Sequence, residues 1–246
     1  MNAMFKCGLA LAALLSFWLR AEPVEIRVVS GKWIGFSNED GTGYYFELLR
    51  RAFPEPEWQL SYSIVPFARS LYLFDHQKAD IVLGVYKGDI DNGQYCRLPV
   101  ELDTVDIAMT PNLAASWSGP RSLEHKKVQA YLAYGYDRLV SVPMYYEESS
   151  NLLDMLNRVN NGYIDAVLDY RPSMEALVSK LERPQRFVIL DSVISAEVYF
   201  GFADTDFGNS LRIRFDEVHH KLIDSGEQQA LLRQVEGQRN SEKPRQ

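Results

Sequence analysis

The sequence predicts an α/β protein built on mostly parallel sheets. Short apolar strands alternate with amphipathic helices along most of the chain. Two strands, Asp80–Val85 and Ile164–Leu168, are continuous apolar runs without polar alternation, as expected where both faces of a sheet are covered. The strand–helix order also restarts near residue 126, so the chain reads as two similar halves.

In the first half, Glu25–Val29 reads as a strand ended by Ser30-Gly31. Tyr45, Leu48, Leu49, Ala52 and Phe53 recur at helical spacing until Pro54 stops them. Leu60–Val65 reads as a second strand. Pro66 then opens a helix with Phe67, Leu71 and Phe74 on its apolar face, and Asp80–Val85 follows. In the second half, Lys126–Tyr131 and Leu139–Val142 read as strands. Ser149 or Ser150 caps a helix carrying Leu152, Leu156, Val159 and Tyr163. Ile164–Leu168 is the buried strand, Pro172 opens a helix through Leu181, and Phe187–Leu190 is extended. A third section has a strand at Glu197–Phe202, a helix with Leu211, Phe215, Val218 and Leu222 inward, and a last helix over Glu227–Val235. The apolar-free tail from Gly237 to Gln246 reads as disordered.

Composition narrows the class. The 246 residues are 46% apolar and 24% charged, ordinary values for a packed domain. The net charge of -7 argues against a nucleic-acid partner. Residues 1–21 have the layout of a secretory signal: Lys6, an apolar run over Cys7–Leu19, then Arg20-Ala21. That run is short for a span, which takes about 20 apolar residues; the alternative is an uncleaved anchor. Removing 1–21 leaves 24 basic and 33 acidic side chains, a net charge of -9, and one cysteine, Cys96. Cys96 reads as a packed residue rather than a nucleophile, because no histidine pattern accompanies it.

Loops that follow strands are where ligands bind in open α/β sheets. Here they are Lys32–Phe36, Tyr86–Asp89, Tyr134–Asp137 and Asp169–Arg171, each bringing aromatic residues, charges or both. Aromatic walls with a few convergent charges describe a pocket for a small ligand. Each ring taken singly is equally a core edge with a wet tip.

From Ile26-Arg27-Val28-Val29 and Trp33, through Asp40-Gly41-Thr42-Gly43-Tyr44, Pro66-Phe67-Ala68-Arg69 and Lys78-Ala79-Asp80-Ile81, to Asn161-Gly162-Tyr163-Ile164-Asp165-Ala166-Val167-Leu168-Asp169 and Phe200-Gly201-Phe202-Ala203, the order of motifs resembles the periplasmic solute-binding proteins of family 3, the amino-acid type. The resemblance spans nearly all of residues 25–235. It implies a two-lobe periplasmic-binding-protein-like fold, each lobe a mostly parallel sheet flanked by helices, joined by two hinge crossings. Lobe 1 is expected at about 22–108 plus 196–246 and lobe 2 at 109–195, with hinges near Ile107–Thr110 and Ser195–Val198. It implies an exported, periplasmic, monomeric protein that closes on a small polar solute and presents it to an inner-membrane ABC permease or a sensor, without a cofactor.

The same resemblance implies the site. Trp33 and Tyr136 match positions that often line the cleft, Phe36, Tyr86 and Tyr134 join them from the strand-end loops, and Asp169 matches a position that meets a ligand amine. Asp169 can equally cap the helix at Pro172-Ser173. The family's carboxylate grip, a Ser/Thr after a strand and an arginine a few residues on, is missing: after Gly84 the chain reads Val85-Tyr86-Lys87-Gly88-Asp89. Lys87 or Arg69 is the substitute cation, with Arg69 equally readable as a solvated helix residue. The alternative function is an enzyme on the same scaffold, like the cyclohexadienyl dehydratases; it calls for a catalytic acid in a cleft that also holds several cations.

Other chemistries lack support. His219 and His220 point about 100° apart on a helix and read as solvated residues, not metal ligands. No phosphate loop, nucleophile elbow or Cys-x-x-Cys is present.

Overall fold

The computed structural model describes residues 22–241, so the signal expected over 1–21 and the last residues of the tail lie outside the described residues. In chain order the elements are β1 (Val24–Ser30), α1 (Tyr44–Ala52), β2 (Trp58–Ile64), α2 (Phe67–Asp75), β3 (Ile81–Val85), β4 (Gln94–Tyr95), β5 (Glu101–Met109), α3 (Pro111–Ala115), β6 (Lys127–Tyr131), β7 (Tyr145–Ser149), α4 (Leu152–Asn160), β8 (Ala166–Asp169), α5 (Arg171–Glu175), β9 (Val188–Phe202), α6 (Asp206–Asp224) and α7 (Glu227–Ser241).

The strand order is β2-β1-β3-β9-β5-β8-β6-β7, with the short β4 also on β9. At one end β2, β1 and β3 are parallel, and at the other β8, β6 and β7 are parallel. Between them β5 and β9 run antiparallel and join the two sets. The N-terminal part of β9 pairs with the part of β5 next to β8, and the C-terminal part pairs with β3. The chain therefore passes from one half to the other along these two strands, so the mostly parallel sheets expected for each half are joined through an antiparallel pair into one mixed α/β sheet.

The same carboxylate device starts a strand in each half. Asp80, just before β3, accepts the Arg27 amide of β1 at 2.8 Å and its guanidinium at 2.7 and 3.0 Å. Asp165, just before β8, accepts the Lys127 amide of β6 at 2.8 Å. Each aligns a parallel neighbour at the point where the apolar run begins, which gives the Lys78–Ile81 and Asn161–Asp169 motifs a structural reason.

Several expectations are corrected. The strand expected at Leu139–Val142 forms instead at Tyr145–Ser149, because Tyr136–Arg138 folds as a 3-10 turn after the left-handed Gly135. The cap of α4 is Asn151, whose side chain accepts the Asp154 amide, rather than Ser149 or Ser150. The helix expected from Pro172 through Leu181 is the short α5 and a separate turn at Val178–Lys180. The stretches expected at Phe187–Leu190 and Glu197–Phe202 are the two ends of one strand, Val188–Phe202. α7 continues past Gly237 to Ser241, where Gln238 and Arg239 are good helix formers. His219 is buried against Phe215, and His220 alone is solvated. Cys96 is buried, as expected of a packed residue, and burial pushes its thiol up to about 12.

β5 carries one strand signal in the sequence, the alternation of Glu101 with Asp103. Its acids, Glu101, Asp103 and Asp106, disfavour strands intrinsically. Each has a tertiary partner: Tyr45 donates its hydroxyl to Glu101, two tyrosine hydroxyls reach Asp103, and two amides reach Asp106.

Removing the buried Asp80 carboxylate takes the acceptor from the Arg27 amide and guanidinium. Asp80→Ala is expected to cost about 2 kcal/mol, and the more exposed Asp165→Ala about 1 kcal/mol. Urea unfolding checks both; a wild-type midpoint for Asp80→Ala contradicts the role assigned here.

Candidate functional site

Gly31 and Gly84 make the floor of the site. A Cβ at Gly84 would sit 2.6 Å from the Trp33 ring, and its φ of 71° also favours glycine; one at Gly31 would sit 2.8 Å away. The two positions, after β1 and within β3, thus let the indole lie flat on the sheet end. Trp33 then packs edge-on against Phe67 at the start of α2, ring centroids 5.2 Å apart.

The opposite wall comes from the second half. Trp33 Nε1 donates to Tyr134 Oη at 3.3 Å, across 101 residues of sequence. Tyr134 also meets Phe67 at 6.0 Å and Tyr136 at 5.4 Å, and Tyr136 meets Tyr86, which follows β3, at 6.3 Å. Glu148 of β7 holds this loop by accepting the Ala133 and Gly135 amides, both at 2.8 Å.

Asp103 on β5 ties the walls to the crossing strand. Its Oδ2 accepts the hydroxyls of Tyr86 at 2.5 Å and Tyr170 at 2.7 Å. Burial and the nearby carboxylate push both phenols well above the usual tyrosine value, so both are neutral donors. Arg138 forms a second tie, giving one guanidinium nitrogen to Asp89 at 2.5 Å and another to the Gly88 carbonyl at 2.7 Å. Asp89 also accepts the Tyr86 amide at 2.7 Å.

The four loops named in the sequence reading therefore converge. Trp33, Tyr86, Tyr134 and Tyr136 form one aromatic cluster. Asp169, at the end of β8, is buried within electrostatic reach of Tyr134 and Tyr136. Its side chain accepts the amide of the next residue, Tyr170, at 2.6 Å, and α5 starts without a side-chain cap, so Asp169 is not a helix cap. Burial, with a contribution from Asp106, pushes its carboxyl up to about 7.

Three expected residues lie elsewhere. Phe36 turns back onto Tyr44 and Tyr45, at 6.0 and 5.4 Å. The exposed Lys87 sits over the Tyr199 ring at 4.6 Å. Arg69 is exposed, about 200° around α2 from Phe67, on a different face of the helix. Sequence reasoning missed Phe67, read as core, and Asp103 and Arg138. The alternating acids Glu101 and Asp103 were the one available signal for β5. Among the described residues no cluster of three or more metal-ligating side chains occurs, and no helix is long and apolar enough to cross a membrane.

No protein-family model matches the sequence, and no curated protein matches it. Solved structures do. The extracellular-binding protein ytmK of a probable amino-acid ABC transporter from Bacillus subtilis superposes with a TM-score of 0.60 at 18% identity, covering 85% of this chain and 96% of that one. The chain has the fold of the amino-acid substrate-binding proteins. A mutant of ArgBP from T. maritima gives a TM-score of 0.63 at 16% identity, covering 87% and 95%. The ancestral amino acid-binding protein AncCDT-1, a precursor of cyclohexadienyl dehydratase, gives 0.61 at 15%, covering 86% and 94%.

The Asp169 carboxyl has a signed consequence. Its ordinary value is 3.8 and its folded value about 7. Between those limits the folded protein holds a proton that the unfolded chain has lost, so stability falls as pH rises through that window. Asp169→Asn removes this loss. The melting temperature of the variant minus that of wild type is expected to rise between about pH 4 and pH 7; a constant difference contradicts a buried, unpaired carboxyl.

Proposed function

We propose that this protein is an exported solute-binding protein that captures a small polar solute between its two halves and presents it to an ABC permease or a sensor. The carrying observation is the meeting of Trp33, from the first half, with Tyr134, from the second, beside the buried Asp169. Convergent aromatic side chains and a desolvated carboxyl at strand ends are what a ligand cleft needs. The amino-acid transporter proteins with this fold support the same reading.

In this reading lobe 1 is residues 22–108 and 196–246, and lobe 2 is 109–195. They part to admit the solute and close when it contacts both. Only the closed form makes both sets of contacts, so ligand shifts the population toward it. Trp33, Phe67, Tyr86, Tyr134, Tyr136, Tyr170 and Asp169 are the binding residues.

The enzyme reading has one observation in its favour. Asp169 is an acid poised near neutrality, as a proton donor must be. It lacks the other half of its signature: Arg138 is committed to Asp89, and Lys87 and Arg69 sit outside the cluster. Binding is therefore the better account.

A thermal-shift screen of amino acids, amines and small organic acids tests it. A solute at about 100 times its dissociation constant adds about 2.7 kcal/mol of stability, so at least one clear upward shift is expected. Trp33→Ala is expected to weaken that solute's binding by about tenfold or more. No shift across the library contradicts the binding function, and turnover of a cyclohexadienyl acid replaces it with the enzyme.

A further inference from the structure

Among the described residues, the aromatic cluster gathers carboxylates and tyrosines, and none of the cluster residues is a lysine or arginine. Asp169 is buried and accepts one amide; Asp103 accepts two tyrosine hydroxyls and the Thr104 amide. Among the described residues neither has an ion pair. A buried carboxylate without a cation is costly, and the usual remedies are a proton or a positive partner.

Tyr136 is an independent sign of a missing partner. It is fully buried among the cluster rings, and its hydroxyl is without a hydrogen-bond partner. That hydroxyl is within electrostatic reach of Tyr86, Asp169, Asp103 and Tyr134, which sets it inside the same cluster. Its lone pairs are free to accept from an N–H donor. Tyr86 and Tyr134 pack against its ring, and Phe67 and Trp33 continue the aromatic cluster beyond Tyr134; aromatic faces attract a positive group.

The means of holding a carboxylate is already occupied by the chain itself. Arg138 and the Tyr86 amide, the charged and backbone donors next to the cluster, both bind Asp89, whose side chain is fully buried. A ligand carboxylate entering here finds Asp89, Asp103 and Asp169 and no unpaired guanidinium or ammonium group among the cluster residues.

We propose that the cleft takes an organic cation that carries no carboxylate, an amine or guanidine held by Asp169 and Asp103 within the Trp33, Tyr134 and Tyr136 rings. This rests on the solute-binding reading and narrows it to one substrate class, against the amino acids that the fold suggests.

Matched pairs that differ by one carboxylate test it: agmatine against arginine, putrescine against ornithine, cadaverine against lysine, and tyramine against tyrosine. Binding is measured by calorimetry on the full chain at pH 8, with glutamine, glutamate and citrate as neutral and anionic probes. The carboxylate-free member of at least one pair is expected to bind about tenfold or more tightly than its partner. Asp169→Asn, close in volume, is expected to reduce that binding about tenfold or more while keeping a cooperative melting transition. Equal or tighter binding of the amino acid in every pair that binds overturns the proposal and leaves the solute-binding reading intact. Binding of only the neutral or anionic probes does the same. Silence from the entire panel overturns both. A preferred amine whose affinity is untouched by Asp169→Asn overturns the assignment of that carboxylate.

Discussion

The antiparallel pairing of β5 with β9 is the constraint on which the rest of the molecule depends. These two strands belong to both halves, so they decide where the parallel trios sit and which loops can face each other. The ladder breaks once: Val105 pairs with Ile194, Ile107 with Leu190, and Asp191–Val193 bulge opposite Asp106. Ser192 takes a positive φ of 54° there. The buried Asp106 spans the break, accepting the amides of Ser192 at 2.8 Å and Arg171 at 2.6 Å. A bulge bends and twists its strand locally. One carboxylate thus secures both the bend in the crossing strands and the start of α5, next to Asp169.

The cluster is an electrostatic compromise. Tyrosines supply neutral donors to Asp103, so that carboxylate is stabilised without a cation. Asp169 has only one amide, and burial raises its carboxyl to about 7. Arg138 is drawn off to Asp89.

The fold was legible because its signals are local. Apolar runs at Ile81–Val85 and Ala166–Asp169 and the periodicity of α1, α2, α4 and α6 are properties of a few neighbouring residues. The aromatic loops were legible because strand ends in α/β sheets are where sites form. β5 was not legible, since its acids are stabilised by Tyr45, Tyr86, Tyr170 and Arg171, residues far away in sequence. The separation of Arg69 and Lys87 from the cluster was hidden for the same reason. Sequence shows that a cation is near a loop, but not that its neighbour is Tyr199 or solvent.

Closure is measured most directly as a distance between the two outer strands. Spin labels at Ser61→Cys on β2 and Tyr145→Cys on β7, both exposed and at opposite ends of the strand order, report it by electron–electron resonance; the native Cys96 is buried. With the solute that gives the largest thermal stabilisation, the broad unliganded distribution is expected to collapse to one narrow, shorter distance. Identical distributions with and without that solute contradict a cleft that works by bringing Trp33 and Tyr134 together.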